Sequence, residues 1–136
     1  MSEFLDTSVI IRYVTRDDPD KAERARKLLD ELRQGERVVT TCEAVLMEAV
    51  YVLSSAKTYQ QSRDSVRGYL AALLDLPGLQ IPYKRTCLRA LDIYVSTRLK
   101  FVDALNVAHM ERSGIKTIIS YDKHFDKIPG VERREP

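Results

Sequence analysis

Apolar and polar residues alternate along this chain with two different periods. In six stretches, apolar residues recur every three or four positions, which is the spacing of one helix face. These stretches predict helices near residues 8–14, 19–32, 46–53, 60–75, 84–97 and 103–113. Short apolar runs between them predict strands near residues 3–6, 38–39, 79–81, 117–121 and 131–133. Short strands separated by helices favour an α/β fold, with a parallel sheet between helices on both faces.

Residues that start and end helices support this order of elements. Pro19 after Asp18 favours a helix start, because the N–H that proline lacks would be unpaired there anyway. Gly35 is placed to end the helix that begins there. Thr40 and Glu43 have the spacing of a capping box, which predicts that Thr40 caps the next helix.

Composition limits the class of protein. The chain has 136 residues, which fits a single domain over residues 1–136, and 44% of them are hydrophobic. No apolar run is long enough to cross a bilayer and no secretory signal is seen, so cytoplasmic residence without membrane contact is expected. Two cysteines and two histidines argue against a disulfide framework and a zinc site. The net charge of +2 does not by itself indicate a nucleic-acid binder.

Four acidic residues stand at the ends or borders of apolar segments. Asp6 and Asp122 end two of the predicted strands, and Glu48 and Asp103 lie in helical patterns. Acids in such places are costly unless water, a hydrogen-bond donor or a cation compensates them. A cluster of carboxylates suggests a hard cation such as Mg²⁺ or Mn²⁺. Since ligands gather at the carboxyl ends of parallel strands, we expect Asp6 and Asp122 to lie near each other.

Each of these acids also has an ordinary structural use. Asp6, Asp103 and Asp122 could each cap a helix, for which aspartate is favoured. Glu43 is explained by the capping box, whereas Glu48 has no such role. Because the neighbours of Glu48 are so apolar, a partly buried functional position gains weight for it.

Other polar residues near the four acids are candidates of lower rank. Asn106 follows Asp103 by three positions, so both lie on one helix face and the amide could orient a carboxylate. Asp126, four residues after Asp122, is a weaker alternative to it. Three more acids are assigned to turn and cap chemistry beside a proline: Asp17, Asp18 and Asp20.

Four segments in this order resemble the motifs of a PIN domain, and most closely those of the VapC-type ribonuclease toxins of type II toxin–antitoxin pairs. They are Phe-Leu-Asp-Thr-Ser-Val-Ile-Ile at 4–11 and the segments at 45–53, 101–108 and 118–125. Each motif is short, but their joint order and spacing are specific, and together they cover the chain from end to end.

The resemblance implies a fold, an activity and a site. The fold would be a three-layer α/β/α sandwich around a central parallel sheet of about five short strands. The activity would be metal-dependent hydrolysis of RNA phosphodiester bonds, with one or two Mg²⁺ or Mn²⁺ ions. The catalytic and metal-binding acids would be Asp6, Glu48, Asp103 and Asp122. The supporting residues would be Thr7, Ser8, Asn106 and Ser120. Without metal the acids repel each other, so some of their pKa values are expected to rise.

The resemblance also implies partners for the chain. RNA phosphates would need cations near the acids, and the candidates are Arg12, Arg98, Lys100, Lys123 and Lys127. A toxin of this type would bind a cognate antitoxin protein, and the family commonly forms homodimers.

Three other interpretations compete with this one. A non-toxin PIN nuclease in RNA processing would share these motifs. A catalytically silent PIN-type module that binds RNA or protein would be expected to lack some of the acids, yet all four are present. A phosphatase of the haloacid-dehalogenase type would need a second aspartate two residues after Asp6, where this chain has Ser8.

Overall fold

The structure is a computed structural model that describes residues 2–136. These residues form two compact units, the first ending at Lys84 and the second beginning at Arg85. Each unit has its own strands, helices and buried side chains. The single domain expected over residues 1–136 stays a prediction.

The first unit contains a small parallel sheet and four helices. Its elements are β1 (Glu3–Phe4), α1 (Thr7–Thr15), α2 (Pro19–Gln34), β2 (Val39–Thr40), α3 (Glu43–Ser54), α4 (Arg63–Leu74) and β3 (Leu79–Gln80). The strands pair in the order β1-β2-β3, and both pairs are parallel. Fully buried apolar side chains from the helices and β3 form its core: Leu32, Leu53, Val66, Leu70, Leu74 and Leu79.

The second unit contains two long helices and a parallel strand pair. Its elements are α5 (Lys84–Ser96), α6 (Phe101–Ser113), β4 (Thr117–Ile119), a short 3₁₀ helix (Lys123–Lys127) and β5 (Glu132–Arg134). In the strand pair, Ile118 lies opposite Arg133. The rings of Tyr94 and Phe101 meet edge to face with their centroids 5.9 Å apart, which joins α5 to the start of α6.

The predicted α/β class with parallel strands is confirmed. All the pairs formed by the five described strands are parallel, and helices separate the paired strands along the chain. Asp18 caps α2 by accepting a hydrogen bond from the N–H of Lys21, with Pro19 as the first helical residue. Gly35 ends the same helix in a left-handed conformation, with φ of 74°. Among the described residues, no helix is both long enough and apolar enough to cross a membrane.

Two predictions about helix starts are wrong. The N-cap of α3 is Cys42, without a capping bond from its side chain, so Thr40 and Glu43 do not form the predicted capping box. Thr40 instead belongs to β2. Helix α6 begins at Phe101, two residues earlier than expected, so Asp103 lies in its first turn and is not its cap.

Candidate functional site

Asp6 lies just after β1 and caps α1. Its Oδ2 accepts hydrogen bonds from the N–H of Ser8 at 3.3 Å and from the hydroxyl of Ser8 at 2.9 Å. The hydroxyl bond, followed by the backbone bond, holds the pKa of Asp6 below its ordinary value. The cap role considered for Asp6 is therefore real, and it keeps the carboxylate ionised and exposed.

Glu48 and Thr7 complete the predicted residues of the first unit. Glu48 lies in the middle of α3 with an exposed side chain, between the buried residues Leu46 and Ala49. The expectation that Glu48 is partly buried is therefore wrong. Thr7 is 4% exposed, which places it in the packed interior at the start of α1.

Asp103 and Asp122 form an electrostatic pair within the second unit. Asp103 is half-buried in the first turn of α6. Burial raises the pKa of Asp103 above its ordinary value, and the negative charge of Asp122 raises it further. The positive charges of Lys100 and His124 act on Asp103 in the opposite direction but do not cancel this effect. A half-buried carboxylate whose pKa is raised further by a second carboxylate marks a place where a cation would be stabilised.

Asp122 is held by the residues on both sides of it. It caps the 3₁₀ helix, where its Oδ1 accepts hydrogen bonds from the N–H of His124 at 2.9 Å and from the His124 ring Nδ1 at 2.7 Å. The backbone and then the ring of His124 lower the pKa of Asp122. The N–H of Asp122 itself donates to Ser120 Oγ at 3.0 Å, which gives Ser120 the predicted place beside this acid. The pKa of Asp122 is therefore lowered, whereas the pKa of the neighbouring Asp103 is raised.

Asp126 has a different partner. Its carboxylate accepts hydrogen bonds from Arg133 Nε at 2.8 Å and Nη2 at 3.3 Å, and these bonds lower the pKa of Asp126. The charge of Asp126 is thus paired with Arg133 of β5, whereas the charge of Asp122 acts on Asp103. Of the two acids, Asp122 is the better candidate for a site acid.

The cations expected to contact RNA have unequal surroundings. Arg12 is engaged by Asp17, whose two oxygens lie 2.8 Å and 2.9 Å from Nη1, and this raises the pKa of the guanidinium. Lys100 is exposed at the N-cap of α6, and its charge lowers the pKa of Asp103 and of Asp122. The other three candidate cations are exposed: Arg98, Lys123 and Lys127. Lys100 is therefore the predicted RNA contact with the strongest link to the acids.

The remaining predictions about the site are not decided by this geometry. Asn106 is exposed on α6, one turn after Asp103, and its supporting role stays a prediction. Asp6 and Asp122 belong to different units, and their proximity likewise stays a prediction. Within residues 2–136, no three His, Cys, Asp or Glu side chains are grouped so that they could hold a metal ion. The donors themselves, carboxylate oxygens, are of the type that Mg²⁺ and Mn²⁺ prefer.

Two residues near the site were not among the predicted site residues. One is His124, whose ring is bonded to Asp122. A histidine two residues after a capping aspartate is near enough to fold back onto it, and this spacing is a usable signal. Arg133 was missed entirely, because its contact with Asp126 depends on the loop between β4 and β5 and not on a local motif.

Comparison with known proteins identifies the family. The model of the PIN domain matches residues 4–131, nearly the whole chain. The chain belongs to the PIN-domain family, as its motifs predicted.

Curated relatives cover almost the full length of the chain. A VapC ribonuclease of Aquifex aeolicus (strain VF5) is 24% identical over 126 residues, which are 93% of this chain and 91% of that protein. Ribonuclease VapC13 of Mycobacterium tuberculosis (strain ATCC 25618 / H37Rv) is 28% identical over 132 residues, 95% and 96% of the two chains. A chain in the crystal structure of VapBC2 from Rickettsia felis bound to a promoter DNA fragment is 15% identical, with a TM-score of 0.38, over 99% of this chain and 98% of that one.

Proposed function

We propose that this chain is a metal-dependent endoribonuclease of the VapC type, the toxin of a VapBC-type toxin–antitoxin pair. The match to the PIN domain over residues 4–131 carries this proposal, because all four candidate acids lie inside it. The relatives named as ribonucleases align over more than nine tenths of the chain, which supports the same activity here. A phosphatase of the haloacid-dehalogenase type is no longer an alternative, since the family is a different one.

The acids proposed to act in the reaction are Asp6, Glu48, Asp103 and Asp122. Asp6 and Asp103 would bind Mg²⁺ or Mn²⁺ directly, and Glu48 and Asp122 directly or through water. When bound, such an ion supplies an activated water and stabilises charge on the phosphate. The raised pKa of Asp103 supports a cation at this place, because a neighbouring cation would favour its ionised form.

Residues of the chain itself would hold these acids and the RNA. Ser8 and His124 keep Asp6 and Asp122 ionised through hydrogen bonds. Lys100 would contact an RNA phosphate, since its exposed ammonium lies near enough to influence both acids of the second unit.

Removing the metal is expected to stop RNA cleavage. In excess EDTA the cleavage rate should fall at least about a thousandfold, because a bound ion supplies several kcal/mol of charge stabilisation. Adding back Mg²⁺ or Mn²⁺ should restore it. Cleavage of total cellular RNA is measured on a denaturing gel. Thermal unfolding is followed in parallel as a test of metal binding, because metal at a hundred times its Kd adds about 2.7 kcal/mol to the free energy of unfolding.

The outcomes of this experiment separate the alternatives. Full cleavage in excess EDTA would contradict the metal mechanism. A rise in unfolding temperature with Mn²⁺ but no cleavage of any RNA would favour a silent PIN-type module. Cleavage that matches expectation leaves the choice between a toxin and a nuclease of RNA processing.

The toxin role makes a separate prediction. Expression of the chain in a bacterial host should arrest growth, and co-expression of its cognate antitoxin, to be sought as a short reading frame immediately upstream, should reverse the arrest. The Asp103→Asn variant is the control and should not arrest growth. Normal growth with active wild-type enzyme present in the cells would favour a non-toxin nuclease. Homodimer formation, which is common in the family, and cytoplasmic residence belong to the same proposal.

A further inference from the structure

Arg133 is nearly buried although it lies in a strand of charged residues. Its side chain is 12% exposed, while those of its neighbours in β5, Glu132 and Arg134, are 60% and 66% exposed. A guanidinium removed from water is costly unless its donors are paired with acceptors. The burial of Arg133 therefore requires specific contacts.

The guanidinium of Arg133 joins two points of one loop. Nη1 donates to the backbone oxygen of Ser120 at 3.0 Å. Nε and Nη2 donate to the two oxygens of Asp126 at 2.8 Å and 3.3 Å. A weaker bond of 3.4 Å runs from Nη1 to Glu135 at the chain end. The flat fork of arginine suits this arrangement, because its donors point in fixed directions.

Asp122 lies between these two points. Ser120 precedes it by two residues, and Asp126 follows it by four. The N–H of Ser120 also donates to the backbone oxygen of Arg134 at 3.0 Å, so β5 holds the start of the loop through its backbone as well. We refer to residues 120–126 as the Asp122 loop. Arg133 therefore binds this loop on both sides of Asp122, through Ser120 and Asp126, and these hydrogen bonds do not involve the Asp122 carboxylate.

We propose that Arg133 is a positioning residue, whose guanidinium fixes the Asp122 loop and thereby the place of the Asp122 carboxylate in the ribonuclease reaction. This inference rests on the proposed function for its effect on catalysis. Its structural part, the hold on Asp122, can be measured without any cleavage.

A lysine at position 133 separates positioning from charge. It keeps the positive charge for Asp126 but has no fork, so it cannot bind Asp126 and the Ser120 oxygen in the same geometry. Displacement of a reacting group by about 1 Å can cost about a hundredfold in rate. We expect Arg133→Lys to lower kcat about 10- to 100-fold, with KM changed less than about threefold.

His124 provides a direct reading of the position of Asp122. Its ring Nδ1 lies 2.7 Å from Asp122 Oδ1, and the bond to one ring nitrogen determines which nitrogen carries the proton. The chain has two histidines, so His109 in α6 serves as the internal reference. ¹⁵N spectra of the imidazole rings at one fixed pH should show His124 shifted in Arg133→Lys toward its value in Asp122→Asn, with His109 unchanged.

Arg134→Lys is the matched control. It makes the same substitution one residue later in β5, at an exposed side chain paired with Glu132, and it keeps the backbone oxygen that binds Ser120. It should leave the His124 signals and kcat as in the parent. Asp126→Asn weakens the contact between Arg133 and Asp126 at its acidic partner and should reproduce the His124 shift. This variant keeps the test decisive if Arg133→Lys folds poorly.

The proposal is overturned if the His124 signals of Arg133→Lys and Asp126→Asn match those of Arg134→Lys. It is equally overturned if kcat falls while the His124 signals stay in place, since Arg133 would then act on the substrate itself. If the parent chain cleaves no RNA but the His124 signals still shift in Arg133→Lys, the ribonuclease function is refuted. The contact by which Arg133 positions Asp122 is then supported on its own.

Discussion

Replacing Asp103 with asparagine is expected to lower the rate of RNA cleavage by about a thousandfold or more. The change keeps the shape of the side chain but removes the charge that would bind the metal. Loss of several kcal/mol of charge stabilisation corresponds to about that factor in rate. The measurement is the single-turnover rate with saturating Mg²⁺ or Mn²⁺, compared with the parent chain.

The same substitution is expected to stabilise the metal-free fold. Because folding raises the pKa of Asp103, the ionised form of Asp103 lowers the free energy of unfolding at neutral pH. The penalty is present above the folded pKa and disappears as the pH falls below the ordinary value of an aspartate. Asp103→Asn should therefore raise Tm at pH 7.5 by about 1–4 °C, and the difference should vanish on acidification.

Asp64→Asn is the control for both measurements. Asp64 also lies in the first turn of a helix, α4, and its side chain is exposed. It should retain the full cleavage rate and gain no stability. Asp6→Asn is a companion test, because asparagine can still cap α1 while the charge is lost. If Asp103→Asn cleaves RNA like the parent, the assignment of the acids is wrong.

Local signals in the sequence predicted the helices well. Helix α2 begins after Asp18 and ends at Gly35, and both ends depend on residues only a few positions apart. They can therefore be predicted without knowledge of the fold. The start of α3 was mispredicted for a long-range reason. Thr41 pairs with Gln80 through its N–H and donates its hydroxyl to the Leu5 oxygen at 3.0 Å, which keeps this segment extended up to the helix.

The start of α6 shows the same limit. Phe101 is buried and packs edge to face on Tyr94 of α5. This tertiary contact favours a start of α6 at Phe101, two residues before the predicted start. This shift places Asp103 in the first turn of α6, which no local pattern indicated.

The sequence identified candidate acids from their positions in the chain, but it did not indicate their electrostatic states. The sequence predicted that repulsion would raise some pKa values; the pKa of Asp103 is raised, first by burial and then by the charge of Asp122. Asp6 and Asp122 behave in the opposite way, because capping bonds from Ser8 and His124 lower their pKa values. Whether the pKa of an acid is raised or lowered depends on hydrogen bonds that a sequence does not display.

The reason for glycine at position 78 lies in backbone atoms from elsewhere in the chain. A Cβ on Gly78 would overlap the backbone oxygen of Arg37 and would lie 2.9 Å from both the Cα and the oxygen of Leu32. These are backbone atoms, which cannot turn aside as a flexible side chain would. Gly78 also donates its N–H to Leu32 at 2.8 Å and accepts a hydrogen bond from Val39 at 2.8 Å. The close approach therefore fixes the end of α2 beside the strands.

Gly78→Ala is expected to destabilise the chain by roughly 3–5 kcal/mol, from overpacking and from the loss of backbone hydrogen bonds to Leu32 and Val39. This is a large part of the roughly 5–15 kcal/mol that holds a typical domain folded. Urea unfolding followed by circular dichroism measures it. Gly68→Ala is the control, because a Cβ at this position in α4 would meet no atom within 4 Å beyond the neighbouring backbone of its own helix, and replacing a helical glycine should gain about 0.5–1 kcal/mol. Equal unfolding midpoints for the two variants would show that the backbone around Gly78 can yield, and that the turn does not depend on this contact.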